Sequence, residues 1–186
     1  MNLPNKLTML RIILIPFFVF FLLCFNVPNN FLWALILFAV ASITDTLDGR
    51  IARKNNLVTD FGKLMDPLAD KLLVTSALIG FAGIGAIPAY VVIIIVAREF
   101  LVTSIRLLAA EKGRVIAADM TGKIKTTFQM TWLCYLMFYY QLATTGIASG
   151  PVWPTFHQIL MWITVGLTVY SGGHYVLGNL DLLADR

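Results

Sequence analysis

Between residues 45 and 70 the chain carries Asp45, Asp48, Gly49, Ala52, Arg53, Gly62, Asp66 and Asp70. On a helix turning about 100° per residue, Asp45, Asp48, Gly49 and Ala52 fall within roughly a third of the circumference, so two acids and two small residues share one stripe. Asp66 and Asp70 are four apart and share a face; Pro67 between them is tolerated if it stands in the first turn with Asp66 as N-cap. The short connection between the two stretches allows the faces to converge. Four carboxylates this close repel one another unless cations compensate, and divalent metal does that directly. A ligand set of oxygens without His or Cys favours Mg²⁺, Mn²⁺ or Ca²⁺ over zinc. Two such ions about 3.5 to 4 Å apart suit phosphoryl transfer, binding a diphosphate and neutralising the leaving group. Gly49 and Ala52 would leave room for a ligand against the helix backbone, and Arg53 could hold a phosphate. The competing reading is a solvated rim, with the acids in salt bridges to Arg50, Arg53, Lys54, Lys63 and Lys71.

The elements that must position these residues are apolar. The 186 residues are 59% hydrophobic and 13% charged, with a mean hydropathy of +0.81, whereas soluble domains carry about 25% charged residues. A crossing of the hydrocarbon core takes roughly 20 apolar residues. Six apolar segments meet that scale, at about residues 10–26, 31–48, 68–83, 87–108, 127–143 and 156–177. The breakers between them are Pro28 with Asn29 and Asn30, Gly83 to Pro88, and Gly146 to Pro154, and these three connections hold no charge. All fourteen basic residues lie at the termini, between segments 2 and 3, or in and after segment 4. The positive-inside rule then places both termini and both charged connections in the cytoplasm. The acids follow the same side, which that rule does not require, and a polar site on the cytoplasmic face accounts for it. The expected architecture is all-α: one polytopic membrane domain over residues 1–186 with six transmembrane helices. Leu3 and Leu7 suggest a short N-terminal interfacial segment over Met1 to Thr8. No cleavable leader is expected. Cys24 and Cys134 lack metal or redox spacing. The pI near 9.2 reports topology and anionic lipid contact, and no nucleic-acid partner is expected.

The full pattern, Asp-x2-Asp-Gly-x2-Ala-Arg-x8-Gly-x3-Asp-x3-Asp, resembles the signature of the CDP-alcohol phosphatidyltransferase family at every fixed position. The resemblance implies a six-helix membrane bundle, usually homodimeric, that moves a phosphatidyl or similar group from a CDP-linked donor to an alcohol and releases CMP. It further implies that Asp45, Asp48 and Asp66 bind metal, two Mg²⁺ or Mn²⁺ ions, and that Asp70 is the general base and also touches the second metal. By the same resemblance Asp48, Gly49, Ala52, Arg53 and Gly62 line the CDP site. The residues alone do not say which aspartate is the base.

The acceptor must be read elsewhere. Segment 4 carries Arg98, Glu99 and Arg106 in an otherwise apolar helix, and ionisable residues inside a span are functional candidates. Asp119, Lys123 and Lys125 follow before segment 5. An acceptor with a phosphate dianion needs such cations, while serine needs fewer. The plainer reading pairs Glu99 with Arg106 or Arg98 to hold the bundle and leaves Lys123 and Lys125 as topology signals. Ala97 to Phe100, Gly122 to Thr126 and the opening Pro4 to Arg11 resemble the bacterial phosphatidylglycerophosphate synthase branch. That implies CDP-diacylglycerol as donor and sn-glycerol 3-phosphate as acceptor, in a bacterial cell membrane among membrane lipids. It also implies that Asn5 and Thr8 contact the nucleotide and that Arg98, Arg106, Lys123 and Lys125 contact the acceptor phosphate. Two other readings stand beside it: a cation channel or transporter, and the same chemistry with another acceptor, as in cardiolipin, phosphatidylserine or phosphatidylinositol synthesis. His157 and His174 have no obvious partner and read as interfacial or packing residues. The aromatics Trp132, Tyr135, Phe138, Tyr139, Tyr140, Trp153 and Trp162 read as lipid-facing or interfacial. Gly172 and Gly173 suit close helix packing.

Overall fold

A computed structural model describes residues 3–54, 60–114, 116 and 119–183, with the side chains of these residues other than 3–7, 45–54, 60–67, 70, 182 and 183. Among them the regular structure is helical throughout: α1 (Leu3–Leu23), α2 (Asn30–Lys54), α3 (Asp60–Gly83), α4 (Ala89–Glu111), α5 (Met120–Thr144), α6 (Val152–Leu177) and the short α7 (Leu180–Leu183). Each of the six apolar segments becomes one helix, and four of them run several residues further into charged sequence than hydropathy suggested. The chain divides into two compact units, Met1–Ala86 with Leu133–Ser149, and Ile87–Trp132 with Gly150–Arg186.

In the first unit, α1 buries Thr8, Arg11, Ile15, Phe18 and Leu22, and α2 buries Phe31, Ala34, Phe38 and Ala41. Both sets alternate steps of three and four, the spacing that keeps one stripe of a helix facing a neighbour. Alanines on α2 interleave with phenylalanines, and Phe18 meets Phe38 at a centroid distance of 5.7 Å. Along α3 the buried positions are Ala69, Leu73, Ala77, Leu78 and Phe81, and α1 packs against both α2 and α3. Leu22 fills the space left by Gly80, where a Cβ would stand 2.5 Å from Leu22 Cδ2. The C-terminal half of α5 adds Tyr140, whose ring lies 5.2 Å from Phe31 and 5.9 Å from Phe81. Gln141 closes the start of α2: it accepts from the Leu32 backbone N–H at 3.0 Å and donates to Asn29 Oδ1 at 2.8 Å. One of the orphan donors of a helix N-terminus is thereby met by a side chain from another helix. The breakers act as expected: Gly85 and Gly146, with φ of 76° and 77°, end α3 and α5 in the left-handed conformation.

In the second unit, α4 buries Val91, Ile95, Val102, Ile105 and Ala109 against α6, whose stripe is His157, Met161, Thr164, Thr168, Ser171, Gly172 and Tyr175. Thr164 and Thr168 turn their hydroxyls back onto the Leu160 and Thr164 carbonyls, so these buried donors are met inside the helix.

Three sequence expectations change. The segment expected before the first span is continuous with it from Leu3, since the helix runs unbroken through Pro4 into α1; Pro4 stands at its second position, where no intrahelical N–H bond is lost. Pro67 is not in a first turn and Asp66 is not an N-cap, since α3 begins at Asp60. Among the described residues, no helix is long and apolar enough to cross a membrane. In α4 the apolar run is broken by Arg98, Glu99 and Arg106, and α5 carries Lys123, Lys125, Gln129 and Gln141.

The Gly80–Leu22 contact is testable against a neighbour with open space. Gly80→Leu should destabilise the protein by about 1–3 kcal/mol through overpacking, read as a lower unfolding temperature in detergent. Gly83→Leu, where nothing lies within 4 Å of the new Cβ, should leave that temperature unchanged.

Candidate active site

The two aspartate pairs lie on α2 and α3, in the first unit. Asp48 stands six residues before the end of α2 at Lys54, and Asp66 six residues after the start of α3 at Asp60; Asp45 and Asp70 stand nine and ten residues from the same ends. Consecutive helices joined by a short connection lie antiparallel as neighbours. At about 1.5 Å per residue, each pair lies roughly 9 Å and 14 Å along its own helix from the end next to the connection. The side chains of Asn5, Asp45, Asp48, Gly49, Ala52, Arg53, Gly62, Asp66 and Asp70 lie outside the described residues, and so do their contacts. Among the described residues no group of three or more His, Cys, Asp or Glu could hold a metal ion.

Of the nucleotide candidates, Thr8 is described. It is buried on the face of α1 that packs toward α2 and α3, and Arg11, one turn on, is as deeply buried, each 1% exposed. Sequence reasoning took Arg11 as a topology charge. Its place on the three-and-four spacing that joins Thr8 to Ile15, Phe18 and Leu22 was the available signal that it turns inward.

The second unit holds a part-buried charge cluster. Arg98 continues the α4 core stripe between Ile95 and Val102, so its guanidinium enters the packed region. Its stem crosses α6 at Gly172, where a Cβ would stand 3.0 Å from Arg98 Cγ, and its Nη2 lies 3.4 Å from the Cβ position of Gly122 on α5. Glu99 accepts from Arg98 Nη1 at 3.2 Å and from Lys125 Nζ. Lys125 is 1% exposed. The structure therefore brings Arg98 and Lys125 together on one carboxylate, and these three groups sum to a formal charge of +1. It does not bring in the other two acceptor candidates. Arg106 donates to Tyr175 Oη at 3.3 Å and lies 5.5 Å from that ring's centroid, so Glu99 pairs with Arg98 and not with Arg106. Lys123 is exposed.

Several residues set aside in the sequence find partners here. Trp132 is fully buried rather than lipid-facing. Its Nε1 donates to His157 Nδ1 at 3.0 Å, with the rings stacked at 5.9 Å. His174 Nδ1 lies 3.3 Å from Asp119 Oδ2 and its ring stacks on Tyr170. Thr121 donates to the same carboxylate, and this hydrogen bond, aided by His174, holds Asp119 below its ordinary pKa of 3.8. A depressed carboxyl contributes stability above its unfolded value and loses it as pH falls through the lower folded one. The Thr121–Asp119 hydrogen bond therefore keeps an ionised acceptor at neutral pH. Arg114 also pairs with Asp181, so the connection after α4 is tied to both α6 and α7. Gly172 is the close-packing glycine the sequence suggested, with Arg98 as the neighbour it accommodates; Gly173 faces open space.

A profile of the CDP-alcohol phosphatidyltransferase family matches residues 1–170, and the chain belongs to this family. Among its relatives, a Bacillus subtilis protein is 43% identical over 98% of this chain and 97% of its own length. A Salmonella paratyphi A protein is 39% identical over 100% of this chain and 98% of its own length. Both are named CDP-diacylglycerol–glycerol-3-phosphate 3-phosphatidyltransferase. A Mycobacterium tuberculosis protein named probable phosphatidylglycerophosphate synthase is 36% identical over 94% of this chain and 80% of its own length.

Removing the carboxylate from the charge cluster should be costly. Glu99→Gln leaves Arg98 and Lys125 facing each other without it, and should destabilise the protein by about 3 kcal/mol in thermal unfolding. Adding Lys125→Met should recover part of that loss, because the double variant retains one cation where the single retains two.

Proposed function

We propose that this chain transfers the phosphatidyl group of CDP-diacylglycerol to sn-glycerol 3-phosphate, giving phosphatidylglycerol phosphate and CMP. Family membership and near full-length similarity to relatives named for that reaction support the chemistry. The observation that carries the acceptor is the Arg98–Glu99–Lys125 cluster: a buried lysine and a part-buried arginine on one carboxylate are groups that a phosphate dianion could engage. Serine and inositol bring no such dianion.

Asp45, Asp48, Asp66 and Asp70 would hold two Mg²⁺ or Mn²⁺ ions, since their donor atoms are all carboxylate oxygens and the two pairs stand at similar sequence distances from the α2–α3 connection. Bound there, the ions supply charge neutralisation for the diphosphate and for departing CMP. Asp70 takes the proton of the acceptor hydroxyl as that oxygen attacks the phosphorus attached to diacylglycerol. The bond from that phosphorus to the bridging oxygen breaks, and CMP leaves. Asp48, Gly49, Ala52, Arg53 and Gly62 line the nucleotide site, with Asn5 and Thr8 from α1.

In this reading the first six helices are seated in the cell membrane as one catalytic domain, with both termini and the α2–α3 and α4–α5 connections in the cytoplasm. Outward-facing Phe17, Ile79, Ile93 and Tyr170, each more than half exposed, give lipid an apolar surface. Arg11, Arg98 and Lys125 point inward, so the composition of a whole helix understates how apolar its outer face is. Two copies are expected to associate, as the family resemblance implies.

Two variants test the assignment through CMP release by purified protein in detergent. Asp70→Asn should lower kcat by at least about a hundredfold while CDP-diacylglycerol still binds; a normal rate would remove Asp70 from the mechanism. Lys125→Met should raise KM for glycerol 3-phosphate about tenfold or more, whereas Lys123→Met should change it less than about twofold. Equal effects at the two lysines would contradict the cluster as the phosphate site.

A further inference from the structure

Glycerol 3-phosphate carries a hydroxyl that reacts and a second, secondary hydroxyl that does not. In the second unit there is a buried polar group with no role yet assigned. Gln129 is 3% exposed, and its amide nitrogen has no hydrogen-bond partner among the described residues. A buried amide left this way is rare in native proteins and marks a place where a water or ligand completes the site. Gln129 lies one turn along α5 from Lys125, and residues four apart have Cβ atoms about 5–6 Å from each other on one face. A phosphate and its neighbouring carbinol span a comparable distance. Beyond Gln129 the stripe closes. Trp132 spends its N–H on His157, and Leu133 and Leu136 are apolar and fully buried. At the other edge of the cluster, Arg98 Nε is also buried without a partner among the described residues.

We propose that Gln129 is a specificity residue for the acceptor, its amide donating to the non-reacting secondary hydroxyl while Arg98 and Lys125 hold the phosphate. The proposal rests on glycerol 3-phosphate being the acceptor. It assigns the floor of the acceptor site to α5 and explains why a polar amide stands one turn deeper than the last lysine.

The test compares sn-glycerol 3-phosphate with 3-hydroxypropyl phosphate, which keeps the phosphate and a primary hydroxyl but lacks the secondary one. Wild-type protein should favour glycerol 3-phosphate in kcat/KM by about tenfold or more, the worth of one well-made hydrogen bond in a buried site. Gln129→Leu should lower kcat/KM for glycerol 3-phosphate to the level of the analogue and leave the analogue's value unchanged. Equal use of both acceptors by wild type, or an equal loss on both in the variant, would overturn the role and leave Gln129 as a packing or water-binding residue. If Gln129→Leu does not fold, Gln129→Asn, which withdraws the amide by one methylene, is subject to the same comparison. Absence of CMP release by folded wild-type protein with glycerol 3-phosphate would overturn the acceptor reading itself, an outcome distinct from loss of discrimination.

Discussion

A charge carried into an apolar helix bundle must be paired there, and the second unit is arranged around that constraint. Glu99 receives Arg98 from its own helix and Lys125 from α5. The rest of the local sequence follows from making this contact possible. Gly172 leaves space for the arginine stem on α6, and Gly122 lets the guanidinium approach α5. Tyr175 engages Arg106 and keeps that cation away from the cluster. The same contact that holds the helices is the one proposed above to receive the acceptor phosphate.

The first unit meets a similar demand with different means. Its helices carry acids on α2 and α3 at corresponding sequence distances from a short connection, and α1, which packs against both helices, buries Thr8 and Arg11. Alternating phenylalanine and alanine bring α1 and α2 close, and Gly80 admits Leu22 between α1 and α3. The Gly80–Leu22 approach lies at the helix ends away from the acids, and the large exposed side chains are left on the outer surface.

The six helices were legible because apolar length and breakers are local signals: Gly85 and Gly146 end helices where their positions predicted. Helix ends were less legible, since Asp60 to Asp66 and Arg50 to Lys54 are polar but keep helical backbone, and hydropathy registers polarity and not conformation. The short α7 left no periodic signal. The aspartate signature could be read from spacing, and the roles within it came through resemblance. What the sequence could not show was pairing across helices. Trp132 looked like an interfacial anchor until His157 met it, and Arg106 looked equivalent to Arg98 until Tyr175 separated them. Position on the core stripe distinguished Arg98 and Lys125 from Arg106 and Lys123, but that stripe is defined by neighbours that the linear pattern does not reveal.

The proposed reaction requires metal at the aspartates and a phosphorylated alcohol as acceptor. The most direct measurement is CMP release by purified protein in detergent with CDP-diacylglycerol and Mg²⁺ or Mn²⁺, supplying glycerol 3-phosphate, serine or inositol in turn, each with an EDTA control. The account predicts release with glycerol 3-phosphate alone, abolished by EDTA. Release with serine or inositol in its place would contradict the assignment of the Arg98–Glu99–Lys125 cluster, and release that persists in EDTA would contradict the aspartates as a metal site.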